Sequence, residues 1–339
     1  KTILKSFPQK TSITHHKPHG ILAILGPFNF PAHLPHGHIV PALIAGNSII
    51  FKPSEHTPKT AEFIVNLWLE THLPKGVISL IQGQSETGKS LSTHPEIDGV
   101  LFTGSSTTGH AIASQLAKTP HKICALEMGG NNPLVIGSVA DLDTIIPLII
   151  QSAYMTTGQR CTCARRLILS DPSQKQPLLK KITKMIDRLK IGPYTQSPEP
   201  FCGPVISTES ADQLISAQQQ LFQNGANIIV PMIKQKNSAF ISPGLIDCSA
   251  IEHSKDFEIF GPLLQLIETR NLKEAIAVAN TTNYGLSASL CSDKKTEYQQ
   301  FYQSIQAGVI NWNNPTNGAY GGAPFGGIKH SGNHRPSAY

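Results

Sequence analysis

The sequence predicts an α/β protein of two lobes, with a doubly wound parallel sheet in the first. Short β-branched apolar runs alternate with longer helical stretches, which is the rhythm of βαβ units. The 339 residues are about twice the length of an ordinary domain. With 40% hydrophobic and 15% charged residues, the chain has material for a sizeable core and is not disordered throughout.

The first lobe is read from residue 20 onward. GILAILG (20–26) is a predicted strand, PHGHIVPALIAG (35–46) a helix and NSIIFKPS (47–54) a strand. PKTAEFIVNLWLETH (58–72) carries apolar residues at helical spacing, and VISLIQG (77–83) returns to strand before a short helix. DGVLFTG (98–104) and TTGHAIASQLAK (107–118) repeat the strand-to-helix pattern. The rhythm then loosens: KICALEMGG and NPLVIG read as strands, TIIPLIIQSAYMTTG (144–158) as a helix and RRLILS as a strand. Helices near 173–188 and 207–223 follow, and GVINWN (308–313) closes the alternation as a strand. Gly129 and Gly130 supply a hinge between the lobes.

Composition excludes several function classes. The net charge is +6, yet the basic residues are scattered, with no run of like charges and no aromatic-basic stripe, so no nucleic-acid partner is expected. Six cysteines (124, 161, 163, 202, 248 and 291) make no disulfide framework, and the one CxC pair lacks a second Cys/His pair, so no metal is expected. No apolar stretch reaches the roughly 20 residues of a membrane span, and the first residues contain no signal-peptide core. A cytoplasmic location is the expectation. GQSETGKS, from Gly83 to Ser90, matches a P-loop and would give phosphate roles to Lys89 and Ser90. It lacks a downstream apolar strand ending in Asp to hold the metal, and Pro95 shortens the helix it opens; a glycine-bearing turn explains the same residues.

The informative segment is YMTTGQRCTCARR (154–166). Cys161 follows Gly158, which permits a tight turn, and nearby arginine and backbone amides are expected to lower its thiol pKa from about 8.5. GPFNFP (26–31) sets Asn29 after a strand, where a carboxamide can donate to an oxyanion. LEMGGNNP (126–133) carries Glu127 at a strand end before two glycines. FTGSSTTG (102–109) joins a strand to a helix, whose N-terminus suits a pyrophosphate.

These segments, together with FKPSEHTP, EIFGP (258–262) and PFGGIKHSG (324–332), resemble the aldehyde dehydrogenase superfamily in order and spacing over nearly the whole chain. FNFPAHLPHGHIVPALIAGN, LEMGGNNP and GQRCTCARR most resemble the branch that acts on N-succinylglutamate 5-semialdehyde in bacterial arginine catabolism. The resemblance implies an aldehyde dehydrogenase-like fold: a remnant of an oligomerisation hairpin (1–18), a partial NAD-binding domain (19–126), a catalytic domain (127–318) and a return segment to the cofactor domain (319–339). Against the family pattern the chain is shortened at both ends; a full-length member would form a homodimer or homotetramer.

The resemblance also implies roles. Cys161 is the nucleophile, Glu127 the general base, and Asn29 with the Cys161 amide the oxyanion donors. The cofactor is NAD, held by Lys52 and Glu55 at the adenosine ribose, by Gly104, Ser105, Ser106, Thr107, Thr108 and Gly109 at the pyrophosphate, and by Glu258 and Phe260 at the nicotinamide ribose. Taken singly these residues have plainer uses: Lys52 and Glu55 suit a surface ion pair, Ser105 or Ser106 a helix N-cap, and Glu258 a turn cap. The substrate is a small dianionic aldehyde, for which Arg160, Arg165, Arg166, His36 and His38 are candidate donors. An inactive or binding-only remnant of the family is the alternative, and a P-loop nucleotide-binding protein the third.

Overall fold

The computed structural model describes residues 2–5, 11–251 and 256–334. The chain forms two compact units, Lys1–Leu126 and Glu127–Tyr339. The first opens with an antiparallel pair, β1 (Thr2–Lys5) and β2 (Thr11–Thr14). The rest of the hairpin expected over 1–18 lies partly outside the described residues.

The first unit then alternates without exception: β3 (Ile21–Leu25), α1 (His33–Ile44), β4 (Ser48–Lys52), α2 (Pro58–Glu70), β5 (Ile78–Leu80), α3 (Ser85–Thr93), β6 (Gly99–Gly104), α4 (Ser106–Leu116) and β7 (Ile123–Met128). The sheet order is β5-β4-β3-β6-β7, and the pairs β3–β4, β3–β6 and β4–β5 are parallel. The order reverses between β3 and β6, the switch point at which doubly wound sheets open a crevice beyond the carboxyl ends of their strands. Asn29 follows β3, Lys52 ends β4, and Gly104 ends β6 with residues 105–109 directly after it. Leu22, Ile24, Ile49 and Phe51 pack with Ile39 and Ala42 of α1 and Ala61 and Val65 of α2. Buried side chains of this size contribute about 1.5–3 kcal/mol each.

The second unit carries a seven-stranded sheet. Its elements are β8 (Asn132–Ile136), α5 (Ile146–Tyr154), β9 (Ala164–Leu169), α6 (Lys175–Ile186), α7 (Thr208–Gln223), β10 (Asn227–Val230), β11 (Gly244–Asp247), β12 (Leu263–Glu268), α8 (Leu272–Asn280), β13 (Ser287–Cys291), α9 (Lys295–Ser304) and β14 (Val309–Trp312). The order is β10-β11-β12-β9-β8-β13-β14, parallel except for the antiparallel pair β10–β11. Both faces are covered, so β8, β9 and β13 are buried at every position, as parallel strands between helical layers must be. Alternate residues choose opposite layers. Leu134, Ile136, Leu167 and Leu169 pack with α5 and α6, while Val135 and Ile168 pack with α7, α8 and α9.

One local expectation fails, and one motif match is settled. The predicted helix 144–158 stops at Tyr154, because Thr156, Thr157 and Gly158 turn left-handed at φ 57°, 55° and 70°. The 83–90 segment is no phosphate cradle: α3 is already helical from Ser85, so Gly88 and Lys89 lie inside the helix and the backbone amides a cradle needs are not in a loop.

Candidate active site

The candidate chemistry of the second unit gathers where three turns meet. The first turn runs from the end of β7 through Gly129 and Gly130 into β8. Glu127 is buried at 6% exposure and makes an isolated antiparallel bridge with Gly332. Its carboxylate packs on Gly326, where a Cβ would meet Oε1 at 2.6 Å.

The second turn carries Cys161. Asn132, 1% exposed at the start of β8, donates from Nδ2 to the carbonyls of Cys161 at 2.7 Å and Cys163 at 2.9 Å, while its Oδ1 accepts from Ser287 N–H at 3.0 Å. One amide thereby ties the Cys161 loop to β13. Cys161 is half-buried. Cys163 is wholly buried, with its Sγ 3.7 Å from the Met155 carbonyl, so it points into the protein.

The third turn brings Glu258. Gly130 N–H donates to its Oε1 at 3.2 Å, and the carboxylate occupies the space that a side chain at Gly129 would fill. Burial pushes the Glu258 carboxyl up to about 7, against the opposing pull of Arg165 and the Gly130 N–H. Two residues earlier, Asp256 accepts from Asn131 Nδ2 at 2.8 Å and Asn283 N–H at 2.6 Å, fastening this segment to the β7–β8 turn. Ser331 Oγ donates to Gly129 O at 2.7 Å and accepts from Gly285 N–H at 2.9 Å, so the KHSG segment holds the same turn from another side.

The electrostatics reverse one expectation. The Cys161 thiol is pushed up to about 12, by burial first and then by Glu258, Glu127 and Cys163, with Arg165 acting in the other direction. The sequence reading put arginine beside the sulfur. Arg165 does act on it, but burial and two carboxylates outweigh that pull. Burial and the carboxylates within electrostatic reach thus both disfavour the thiolate at this sulfur.

The candidate carboxylate donors also sort themselves. Arg166 Nε donates to Asn131 O at 2.9 Å and its Nη atoms to Val278 O and Ala279 O, a buried structural role. Arg165 is fully buried on backbone carbonyls. In the first unit, His36 stacks on Trp68 and accepts from its Nε1 at 3.0 Å, while buried His38 pairs with Thr103 Oγ1 at 3.2 Å. These four residues serve the protein itself. Arg160 stays half-exposed, with Nε donating to Thr156 Oγ1 at 2.9 Å.

The cofactor candidates of the first unit stand at strand ends. Lys52 is buried along its stem, donates to Pro53 O at 2.9 Å and lies 3.9 Å from Glu55, which is half-exposed. Ser105 caps α4 by accepting from Thr108 N–H at 3.3 Å, and Ser105, Thr107 and Thr108 are exposed. Phe260 lies in the second unit beneath the Arg165 guanidinium, 5.4 Å from it. Among the described residues no cluster of three or more His, Cys, Asp or Glu suits a metal, and no helix is long and apolar enough to cross a membrane.

Asn132, Asp256 and Ser331 had no role in the sequence reading. A polar residue opening the apolar strand NPLVI was the available signal, since a buried amide must find partners.

The comparisons with known proteins agree in kind. A model of the Aldehyde dehydrogenase family matches residues 1–338. Over 330 residues the chain is 51% identical to N-succinylglutamate 5-semialdehyde dehydrogenase of Ectopseudomonas mendocina (strain ymp), covering 97% of this chain and 68% of that protein. The protein of the same name from Pseudomonas fluorescens (strain Pf0-1) gives the same identity and coverage. Among solved structures, betaine aldehyde dehydrogenase from Staphylococcus aureus in complex with NAD+ matches with a TM-score of 0.91 at 30% identity, over 98% of this chain and 66% of that one. Mycobacterium tuberculosis aldehyde dehydrogenase complexed with NAD+ matches with a TM-score of 0.88 at 30% identity, over 95% and 67%. The chain thus spans about two thirds of the length of these relatives.

Proposed function

The chain belongs to the aldehyde dehydrogenase family, and we propose that it serves the oxidation of an aldehyde to a carboxylic acid with NAD as acceptor and N-succinylglutamate 5-semialdehyde as substrate. The observation that carries the chemistry is the shared environment of Cys161, Glu127 and Glu258: a thiol in a glycine-bearing turn, with two carboxylates within electrostatic reach of it. The substrate assignment rests on the 51% identity to relatives bearing that name.

In this reading a carboxylate takes the thiol proton as Cys161 Sγ attacks the aldehyde carbon. The resulting oxyanion is held by the Cys161 N–H and by the Asn29 carboxamide. Glu127 then takes a proton from the water that cleaves the Cys161 thioester, releasing the acid. A bound nicotinamide dinucleotide supplies the hydride acceptor. The first unit fits such a group in its own geometry: α4 begins at the carboxyl end of β6, beside the β3–β6 switch point, and presents exposed Ser105, Thr107 and Thr108. Lys52 and Glu55 end the neighbouring strand β4, where a carboxylate repels a 2′-phosphate and so favours NAD over NADP. Glu258 and Phe260 are assigned to the nicotinamide ribose, and Arg160 is the remaining donor for a substrate carboxylate.

The test is NADH formation from N-succinylglutamate semialdehyde, with glutamate semialdehyde in parallel. Cys161→Ala is expected to abolish turnover and Cys163→Ala to keep most of it. Equal loss from both removes Cys161 from its role, and equal rates on both aldehydes remove the succinyl group from the specificity.

A further inference from the structure

Arg165 has the largest fully buried side chain among the described residues, and it sits on a central strand where a charge persists only when partnered. Its partners are few and concentrated. Nη1 donates to Gly158 O at 2.7 Å and Gly261 O at 3.2 Å, Nη2 donates to Arg160 O at 3.0 Å, and Nη2 lies 3.8 Å from Glu258 Oε1. The guanidinium also covers the Phe260 ring, while its buried Nε has no acceptor.

Two of these acceptors belong to the nucleophile loop itself. The Arg160 carbonyl is one end of the peptide bond whose other end is the Cys161 N–H. A charged donor on that carbonyl fixes the peptide plane and, by polarising it, strengthens the N–H as a donor. The Gly158 carbonyl closes the left-handed turn 156–158. Threonines hold that conformation only where the surroundings over-determine it, and Gly158 is pressed against Gly261 O, 2.2 Å from where a Cβ would stand.

We propose that Arg165 is the positioning residue of the nucleophile loop: its fork fixes the peptide that carries the Cys161 amide and thiol, and its charge offsets the carboxylates around that thiol. The role goes beyond the proposed function, which uses Cys161 and its amide without saying what holds them, and it rests on that reading only for its effect on turnover. The groups that act on the thiol are Glu258, Glu127 and Cys163 on one side of the balance and Arg165 on the other. A lysine retains charge in that balance but cannot span three carbonyls and a carboxylate with one ammonium.

Arg165→Gln and Arg165→Lys separate the two parts. The first readout is the pH dependence of iodoacetamide alkylation, mapped to Cys161 by mass spectrometry without aldehyde or cofactor. Arg165→Gln is expected to move the profile up by about one pH unit, slowing alkylation about tenfold at a given pH, while Arg165→Lys stays within about threefold of the parent. The second readout is kcat/KM for the aldehyde, expected to fall at least about 30-fold in both variants with KM for NAD within about twofold. An unmoved alkylation profile in folded Arg165→Gln overturns the charge offset, and parent-like turnover in Arg165→Lys overturns the fork. Should Arg165→Gln not fold, Arg165→Lys decides. A parent chain that turns over no aldehyde defeats the proposed function, yet the alkylation arm still reads Arg165.

Discussion

In the first unit the residues proposed for the cofactor stand at strand ends and the start of α4, with Ser105, Thr107 and Thr108 exposed and the Lys52 ammonium on its neighbours Pro53 and Glu55. In the second, the residues proposed for the chemistry are set among buried Arg165, Arg166, Asn132 and Ser331, whose partners come from distant parts of the chain. The difference has a physical origin. A phosphate-binding turn needs little more than a helix N-terminus at a sheet edge, which a local segment supplies. A thiol, a base and an oxyanion donor must be held to fractions of an ångström, and only a network with long-range closure does that.

The comparison can be broken at its strongest point first. Glu127→Gln removes the proposed base and is expected to lower steady-state turnover about 10²–10⁴-fold. A full first equivalent of NADH followed by slow hydrolysis, seen in stopped-flow absorbance, supports the assignment; unchanged turnover removes Glu127 from the mechanism. Gly158→Ala puts a Cβ 2.2 Å from the Gly261 carbonyl at a φ of 70°, and is expected to cost the second unit at least about 3 kcal/mol, read as lost soluble yield and a lower Tm.

The first unit has its own buried liability in His38. Burial lowers its pKa to about 4, so the folded ring stays neutral while the unfolded chain is protonated below about 6.5. The stability it permits is therefore whole above pH 6.5 and declines as pH falls toward 4, by about 3 kcal/mol at most. Urea melts of His38→Gln are expected to lose less stability than the parent across that window; parallel curves would clear His38.

The next change sharpens the comparison. Asn132→Ala leaves two loop carbonyls and the Ser287 N–H without their partner, at about 1–3 kcal/mol, and should depress kcat more than KM for NAD. Lys52→Ala in the first unit is expected to do the opposite and more mildly, raising KM for NAD a few-fold with kcat nearly unchanged. If Lys52→Ala were as damaging to kcat as Asn132→Ala, the contrast between the units would fail.

The same contrast explains what was legible beforehand. Strands such as 20–26 and 98–104 were readable because apolar runs bounded by glycine have few other uses, and they are found at Ile21–Leu25 and Gly99–Gly104. The helix 144–158 was over-extended because periodicity carries no sign for φ: Thr156 and Thr157 are ordinary helical residues until their left-handed backbone is seen. The direction of the Cys161 shift was misread for a related reason. Arg165 and Arg166 are close to it in sequence, but their acceptors include Gly261 and Val278, 96 and 112 residues further on, and no local pattern announces them. Glu127 and Cys161 stood out as residue types in glycine-bearing turns, whereas Asn132 and Ser331 matter only through what they bind.

Ser331 also imposes an order on synthesis. Its hydroxyl reaches back 202 residues to the Gly129 carbonyl, and Gly332 bridges Glu127 directly. A ribosome that has made the strands and helices of the first unit has already placed Glu127 in the chain, yet the segment that fastens its turn is made 202 residues after Gly129. Contacts of such separation pay their loop-closure cost late. The turn that carries Glu127 therefore closes only once residues 331 and 332 have been made, and a nascent chain arrested before residue 331 has its sheets without its latch.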